Sequence, residues 1–252
     1  MTGDFFDLLP KHPFPSVSGD GRNPMPLEAT TVFAFHCAEG VIIGGDHRAT
    51  AGHTIFSDRT EKILELDSHS LMAIAGVPAM AFEMARTLQT AFEFYRRSQL
   101  QPMSLGAKAR ALSRLLRDNL PATLQGVGAV SPVFAGVDSG DPAARPVIYF
   151  YDPLGAHFEA AAYAGSGSGT TTIKSVLHYL ENWGQPRPAD LSLEQAVVLA
   201  NRLLMTAAQF DAATGGVHAE QQEFATIKLL SAKGIRTVST QEQAEFWRDS
   251  RS

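Results

Sequence analysis

The chain has 252 residues, 44% of them hydrophobic and 19% charged, a composition ordinary for a folded globular protein and long enough to bury a sizeable core in one large domain or two small ones. A formal net charge of -5, with no stripe of Lys and Arg, leaves no electrostatic footprint for nucleic acid. The single cysteine, Cys37, excludes an intrachain disulfide and any cysteine metal cluster, and it fits a reducing compartment.

Residues 1–29 are rich in Pro, Gly, Ser and Asp and show no sustained periodicity, which predicts a loosely ordered leader. Within it Lys11 comes late, the Phe5-to-Leu9 stretch is short and carries Asp7, and Pro10, Pro13 and Pro15 break any helix, so no secretory signature is present. No stretch approaches the roughly 20 apolar residues that a membrane helix needs. A soluble, cytoplasmic protein is expected.

The body begins near Thr30. Thr31 to His36 and Val41 to Gly45 are predicted as paired strands, with Ala38-Glu39-Gly40 as the turn. Consecutive apolar residues at Val41, Ile42 and Ile43 predict a strand covered on both faces. Lys62 to Leu66 and Leu71 to Ala75 form a second expected pair, joined around Asp67-Ser68-His69. After Gly76 a long helix is predicted, with Met80, Met84, Leu88, Phe92 and Tyr95 on one face and Glu83, Arg86, Glu93 and Arg97 away from it. A second helix starts at Ser104 and carries the stripe Leu105, Ala109, Leu112 and Leu116, with Lys108, Arg110 and Arg117 outside it. It should stop before Pro121, because the residue before a proline disfavours helix.

Strands are expected again at Val133 to Val137, Val147 to Tyr151 and Phe158 to Tyr163. Gly165 to Gly169 is predicted as a glycine-serine turn, and Thr170 to Asn182 as a helix. Ser192-Leu193-Glu194-Gln195 resembles a capping box opening a helix that reaches Phe210. Phe224 to Leu230 and Ile235 to Val238 form a closing hairpin, and the polar tail after Thr240 a short terminal helix. Strands, two helices, strands, two helices, strands is not the alternation of a doubly wound parallel sheet; antiparallel sheets with paired helices outside fit better.

Thr30, Asp46 and Lys62 carry the chemistry. A threonine hydroxyl is a poor nucleophile until a base takes its proton. A free α-amino group can be that base, because its unperturbed pKa of about 7.7–8.0 lies near neutrality. Removal of the leader would make Thr30 such a terminus. A neighbouring ammonium, Lys62, would lower that pKa and steady the developing charge, and Asp46, at the end of an apolar strand, could orient Lys62. Ala75-Gly76, at a strand end before a helix, offers a backbone N–H for an oxyanion.

With these residues in place the chain resembles the β-type subunits of the proteasome core particle, N-terminal-nucleophile hydrolases, over nearly everything after Ala29. Thr30-Thr31 is similar to the mature N-terminus, Asp46 falls in a Gly-Asp-x-Arg-Ala-Thr-x-Gly element, and Lys62 matches the catalytic lysine. Gly76 matches the oxyanion-hole glycine. Gly165-Ser166-Gly167-Ser168 resembles a loop whose first serine, Ser166, supports the nucleophile, and Asp211 to Gly216 resembles the Asp-x-x-Ser-Gly-Gly element with Thr214 in place of serine. Thr31 is the rival nucleophile, but choosing it shifts every later spacing by one residue.

The resemblance implies an α+β fold, a four-layer αββα sandwich of two antiparallel sheets flanked by helices. It implies a propeptide at 1–29, removed autocatalytically at Ala29-Thr30, and a catalytic domain at 30–252. It implies a threonine endopeptidase that degrades unfolded proteins, needs no cofactor or metal, and works as homo-heptameric rings stacked in a barrel, with α-type subunits and a ring ATPase as possible partners. Ala49, Thr60, Ile74 and Pro78 fall where the family lines its S1 pocket, and the Thr50 backbone in the substrate cleft. These residues are uncharged, which predicts cleavage after apolar or aromatic residues. The segment after Ser104 resembles bacterial subunits.

Ala29 stands where the family has glycine, whose wider backbone freedom suits a tight self-cleavage turn. A non-catalytic scaffold subunit with a retained leader therefore stays open, as does a different N-terminal-nucleophile amidase. Taken singly, Thr30-Thr31 reads as a strand start and Lys62 as a solvated side chain; the joint spacing reverses this. Gly165 to Thr170 lacks the Gly-Lys-Ser/Thr ending of a phosphate cradle. His36, His47, His53 and His69 form no His-x-x-x-His pair with an adjacent acid, so hydrogen-bonded or solvated histidines are expected.

Overall fold

The computed structural model describes residues 30–51, 54–125, 128–141 and 143–250. The predicted leader with Ala29, and His53, lie outside the described residues. In chain order the strands are β1 (Thr31–Cys37), β2 (Gly40–Gly45), β3 (Ala49–Ala51), β4 (Thr54–Ser57), β5 (Ile63–Asp67) and β6 (Ser70–Ala73). Helices α1 (Pro78–Gln99), α2 (Leu105–Asp118) and α3 (Leu120–Leu124) follow, then β7 (Val133–Gly136), β8 (Val147–Tyr151), β9 (His157–Ala160) and β10 (Tyr163–Gly167). The chain continues through α4 (Thr170–Trp183), α5 (Leu193–Phe210), β11 (Thr226–Ser231), β12 (Gly234–Thr237) and α6 (Thr240–Asp249).

Alternation along β1 sets the layers. Successive side chains of a strand point to opposite faces. Phe33 and Phe35, with Ile42 of β2, pack against Ile173 and Leu177 of α4 and Ala196, Val197 and Ala200 of α5. Val32 and Ala34, with Val41 and Ile43, turn the other way onto Ile63, Leu71, Ala73, Val133 and Ala135. The second sheet repeats the rule: Met72 and Phe134, between those inward residues, face Leu88, Phe92 and Leu112 of α1 and α2. The outcome is helix, sheet, sheet, helix, the predicted four-layer sandwich. The layer between the sheets is built from Val, Ala, Ile and Leu, whereas the buried aromatics lie beneath the helices. Each fully buried large apolar side chain contributes about 1.5–3 kcal/mol.

Both sheets are antiparallel. One runs β10-β1-β2-β11-β12 and the other β5-β6-β7-β8-β9, with β3-β4 as a separate ribbon. Helix starts follow local chemistry. Pro78 occupies the first turn of α1, where its missing N–H costs nothing, and Ser192 with Gln195 forms the expected capping box of α5. α2 stops at Asp118, and Pro121 then sits in the first turn of the short α3.

Three expectations change. The stretch Phe158 to Tyr163 is not one strand: β9 ends at Ala160 in the second sheet and β10 begins at Tyr163 in the first. No Gly or Pro marks this crossing between Ala161 and Ala162, so local sequence gives no sign of it. Gly165-Ser166-Gly167 is strand rather than turn, because it pairs with β1 in the register Thr31 to Gly167. Lys108 is not outside: it is buried, its ammonium 2.6 Å from Asp67 and over the Phe92 ring. An ion pair at the β5–β6 turn lets a cation sit inside the helix–sheet seam.

Burial alone would raise the Asp67 carboxyl, but the Lys108 ammonium, the Ser70 hydroxyl and the His69 N–H outweigh it and hold it below the ordinary aspartate value. As pH falls, the unfolded chain therefore takes up the proton first, so this stabilisation is full above the ordinary aspartate pKa and is lost as pH drops through the depressed folded value. Asp67→Asn is expected to lower stability at pH 7 by about 2–3 kcal/mol in urea denaturation. The difference from wild type should shrink on acidification; a difference unchanged into the acid range would exclude this role for Asp67.

Candidate active site

β1 and β2 pair so that Val32 faces Gly45, which brings Asp46, just past the end of β2, alongside the start of β1. Asp46 and Thr31 exchange main-chain and side-chain bonds. The Asp46 N–H donates to the Thr31 carbonyl at 3.2 Å, and the Thr31 N–H donates to Asp46 Oδ1 at 2.9 Å. Lys62 arrives from the other sheet, at the residue before β5, and its Nζ donates to the same Oδ1 at 2.6 Å and to the Arg48 carbonyl. Asp46 Oδ2 accepts from the Arg48 N–H at 3.1 Å and the Gly215 N–H at 2.8 Å.

Lys62 and Asp46 are each 2% exposed. Burial pushes the Lys62 ammonium below its ordinary pKa, opposed by the Asp46 carboxylate. A buried ion pair is a poor source of stability, since apolar residues of similar volume often serve as well. A reason for this pair is its place: Lys62 is one carboxylate oxygen away from the amide joining Thr31 to Thr30. An ammonium has three donors, and two are used here.

Thr30 is 5% exposed, and its carbonyl accepts from the Ser168 N–H at 3.2 Å. Its hydroxyl makes no hydrogen bond with a described residue. Gly167, at φ +102°, lies against this carbonyl, and a Cβ there would stand 1.6 Å from it. Only glycine permits the approach. The Thr31 hydroxyl, by contrast, is fully buried and engaged, lying 2.6 Å from Thr214 Oγ1 and accepting from the Gly169 N–H at 3.0 Å. Of the two candidate nucleophiles, the Thr31 hydroxyl is committed to structure, and the Thr30 hydroxyl is unengaged among the described residues.

A second acid closes the site. Asp211, the C-cap of α5, accepts on Oδ2 from Ser168 Oγ and from Thr214 Oγ1, each at 2.6 Å, and on Oδ1 from the Ala213 N–H at 3.0 Å. Burial raises this carboxyl, but those hydrogen bonds and the Lys62 charge hold it below its ordinary value. The serine that bonds Asp211 is Ser168, two residues after Ser166, the serine that the resemblance implies. Ser166 stands opposite Val32 in β10, and its hydroxyl makes no hydrogen bond with a described residue. Two serines two residues apart are equivalent by spacing alone; the strand ends at Gly167, and its positive φ decides between them.

Gly76 lies where β6 gives way to α1. It forms an isolated antiparallel bridge with Val130, in which Val77 donates to Ala129 and Ser131 donates to Ala75. The hydrogen bonds thus fall on either side of Gly76, and its own N–H has no partner among the described residues. At φ +103°, where any added Cβ would stand only 2.2 Å from the Ala129 carbonyl, the position requires glycine. Ala49 and Thr50 are buried in β3, Thr60 donates its N–H to the His47 carbonyl, Ile74 donates its N–H to the Lys62 carbonyl, and Pro78 opens α1. All five lie on segments that flank Asp46, Lys62 or Gly76. Among the described residues no group of His, Cys, Asp and Glu has a geometry for a metal ion, and no helix is long and apolar enough to cross a membrane.

Residues 27–219 match the family model for proteasome subunits. The chain is 39% identical over 229 residues to "Proteasome subunit beta 2" of Thermomonospora curvata, covering 90% of this chain and 79% of that protein. It is 32% identical over 254 residues to "Proteasome subunit beta" of Streptomyces griseus, covering 98% and 87%, and 34% identical over 239 residues to that of Stackebrandtia nassauensis, covering 94% and 82%. A two-sheet sandwich with a buried lysine–aspartate pair beside the start of its first strand, and similarity of this extent, lead to one conclusion: the chain belongs to the proteasome subunit family.

Proposed function

We propose that this chain is the proteolytic β-type subunit of a proteasome-like particle, a threonine endopeptidase whose nucleophile is Thr30. The observation that carries the reading is the Asp46 carboxylate shared between Lys62 Nζ and the Thr31 amide, which seats Thr30 beside a buried amine. Residues 1–29 are a propeptide, and cleavage of the Ala29–Thr30 bond frees the α-amino group. That amine takes the Thr30 Oγ proton as Oγ bonds to the scissile carbonyl carbon. The Gly76 N–H donates to the oxyanion, the proton passes to the leaving nitrogen, and the C–N bond breaks. Water, deprotonated by the same amine, then attacks the ester and restores Thr30. Lys62 lowers the basicity of the amine, Asp46 orients Lys62, and Ser168, with Asp211 and Thr214, supports the new terminus.

Ala49, Thr50, Thr60, Ile74 and Pro78 form the substrate pocket in this reading, and their lack of charge favours cleavage after apolar or aromatic residues. Names of the relatives support assembly with like subunits; homo-heptameric rings stacked in a barrel, α-type partners, a ring ATPase and a cytoplasmic location complete the proposal. Ala29 favours one competing reading, a subunit that keeps its leader and acts as scaffold.

Intact mass of the assembled protein, before and after a peptide epoxyketone, separates the two. A mass starting at Thr30 that gains one adduct supports the protease; a full-length mass with no adduct supports the scaffold. Lys62→Met should lower kcat on a fluorogenic peptide by about 10²–10⁴-fold, and a wild-type rate would remove Lys62 from the mechanism. A peptide library should be cut mainly after apolar and aromatic residues, and cleavage mainly after Arg or Glu would overturn the pocket assignment.

A further inference from the structure

Thr31 has three polar groups, and all are bound within the site, two to Asp46 and the third to Thr214. Its N–H is on Asp46 Oδ1, its carbonyl accepts from Asp46 N–H, and its hydroxyl lies 2.6 Å from Thr214 Oγ1. Hydrogen counting fixes the direction of the last contact. A hydroxyl has one proton to give. That of Thr214 goes to Asp211 Oδ2 at 2.6 Å, so Thr214 accepts from Thr31. The Thr31 oxygen in turn accepts from the Gly169 N–H at 3.0 Å, one residue after Ser168, whose hydroxyl meets the same Asp211 oxygen. A chain of donors thus runs from Gly169 through Thr31 and Thr214 to Asp211.

We propose that Thr31 is a positioning residue of the proteolytic site: its hydroxyl, acting through Thr214, locks the segment that carries Thr30 to Asp211 and so sets the place of the nucleophile between the two acids. The inference rests on Thr30 being that nucleophile. Packing alone does not require a hydroxyl here, since valine has the same shape. The residue is fully buried, where a hydroxyl that lacked partners would be costly. The charged groups that face the chain of donors are Asp46 just past β2, Lys62 ahead of β5, Asp211 at the end of α5, and Arg48, which reaches the same loop through the Ala212 carbonyl. Linked hydroxyls polarise one another, so the Thr31 proton strengthens the bond that Thr214 makes to the Asp211 carboxylate.

The test compares wild type, Thr31→Val, Thr31→Ser and Thr214→Val as full chains, assembled and checked for leader removal by intact mass. Steady-state kinetics on an apolar fluorogenic peptide are then followed across pH. Thr31→Val is expected to lower kcat by roughly ten- to a hundredfold, the cost of a misplaced reacting group, with KM little changed. Its acidic limb should move to higher pH, because Asp211 then binds a proton more readily. Thr31→Ser should restore both. Thr214→Val, which breaks the middle link, should show the same change of limb and supplies the reading if Thr31→Val does not assemble. A Thr31→Val enzyme with wild-type kcat and pH profile would overturn the proposal. So would a Thr31→Ser enzyme as impaired as the valine variant, since the methyl rather than the hydroxyl would then matter. An inactive, unlabelled wild type would instead remove the assignment of Thr30, and this inference with it.

Discussion

The site depends on one carboxylate. Asp46 accepts from Thr31, Lys62, Arg48 and Gly215, so two oxygens join the start of the first strand, the approach to the second sheet, the turn after β2 and the loop after α5. Four donors fill the acceptor capacity of a carboxylate that is cut off from water. None of the four is redundant, because at 2% exposure solvent is not there to replace a lost partner. The charge organises the segments and the segments keep the charge buried.

A second acid works under different conditions. Asp211 is the cap of a helix rather than the end of a strand, it is more open to solvent, and its donors are mostly hydroxyls. Hydroxyls rotate, whereas the backbone N–H groups around Asp46 are fixed. One acid therefore offers rigidity and the other adjustability, and Thr31 is bound to the first directly and to the second through Thr214.

Much of this was legible in the sequence, for physical reasons that can be named. The helical stripes at Met84, Leu88 and Phe92 gave the helices, and the order of strands and helices gave antiparallel sheets with helices outside, since period is a local property; the stacking into four layers came from the family resemblance alone. The order Thr30, Asp46, Lys62 gave the main cluster, because strand pairing holds their spacing rigid. What was not legible depends on contacts between distant segments. Ser168 and Ser166 differ only by a backbone angle at Gly167 that pairing with β1 imposes. Lys108 reads as a surface cation until Asp67 is brought over it. The change of sheet after Ala160 carries no turn residue at all. The roles of the Thr31 hydroxyl and of the Arg48 carbonyl are equally silent, since one requires Thr214 in space and the other is main chain.

The crossing at Ala161 and Ala162 has a mechanical consequence. Thr30 and Asp46 adjoin strands of one sheet and Lys62 a strand of the other, so sliding one sheet over the other would change the gap between Thr30 and Lys62. β9 and β10 are successive strands on opposite sheets joined by two residues, a tether too short to let the sheets slip. The close fit of Ala34, Ala73 and Ala135 in the inner layer resists the same motion. The sandwich thus behaves as a vice, with Thr30 and Lys62 on its opposed jaws and the spacing of the jaws set by the chain itself.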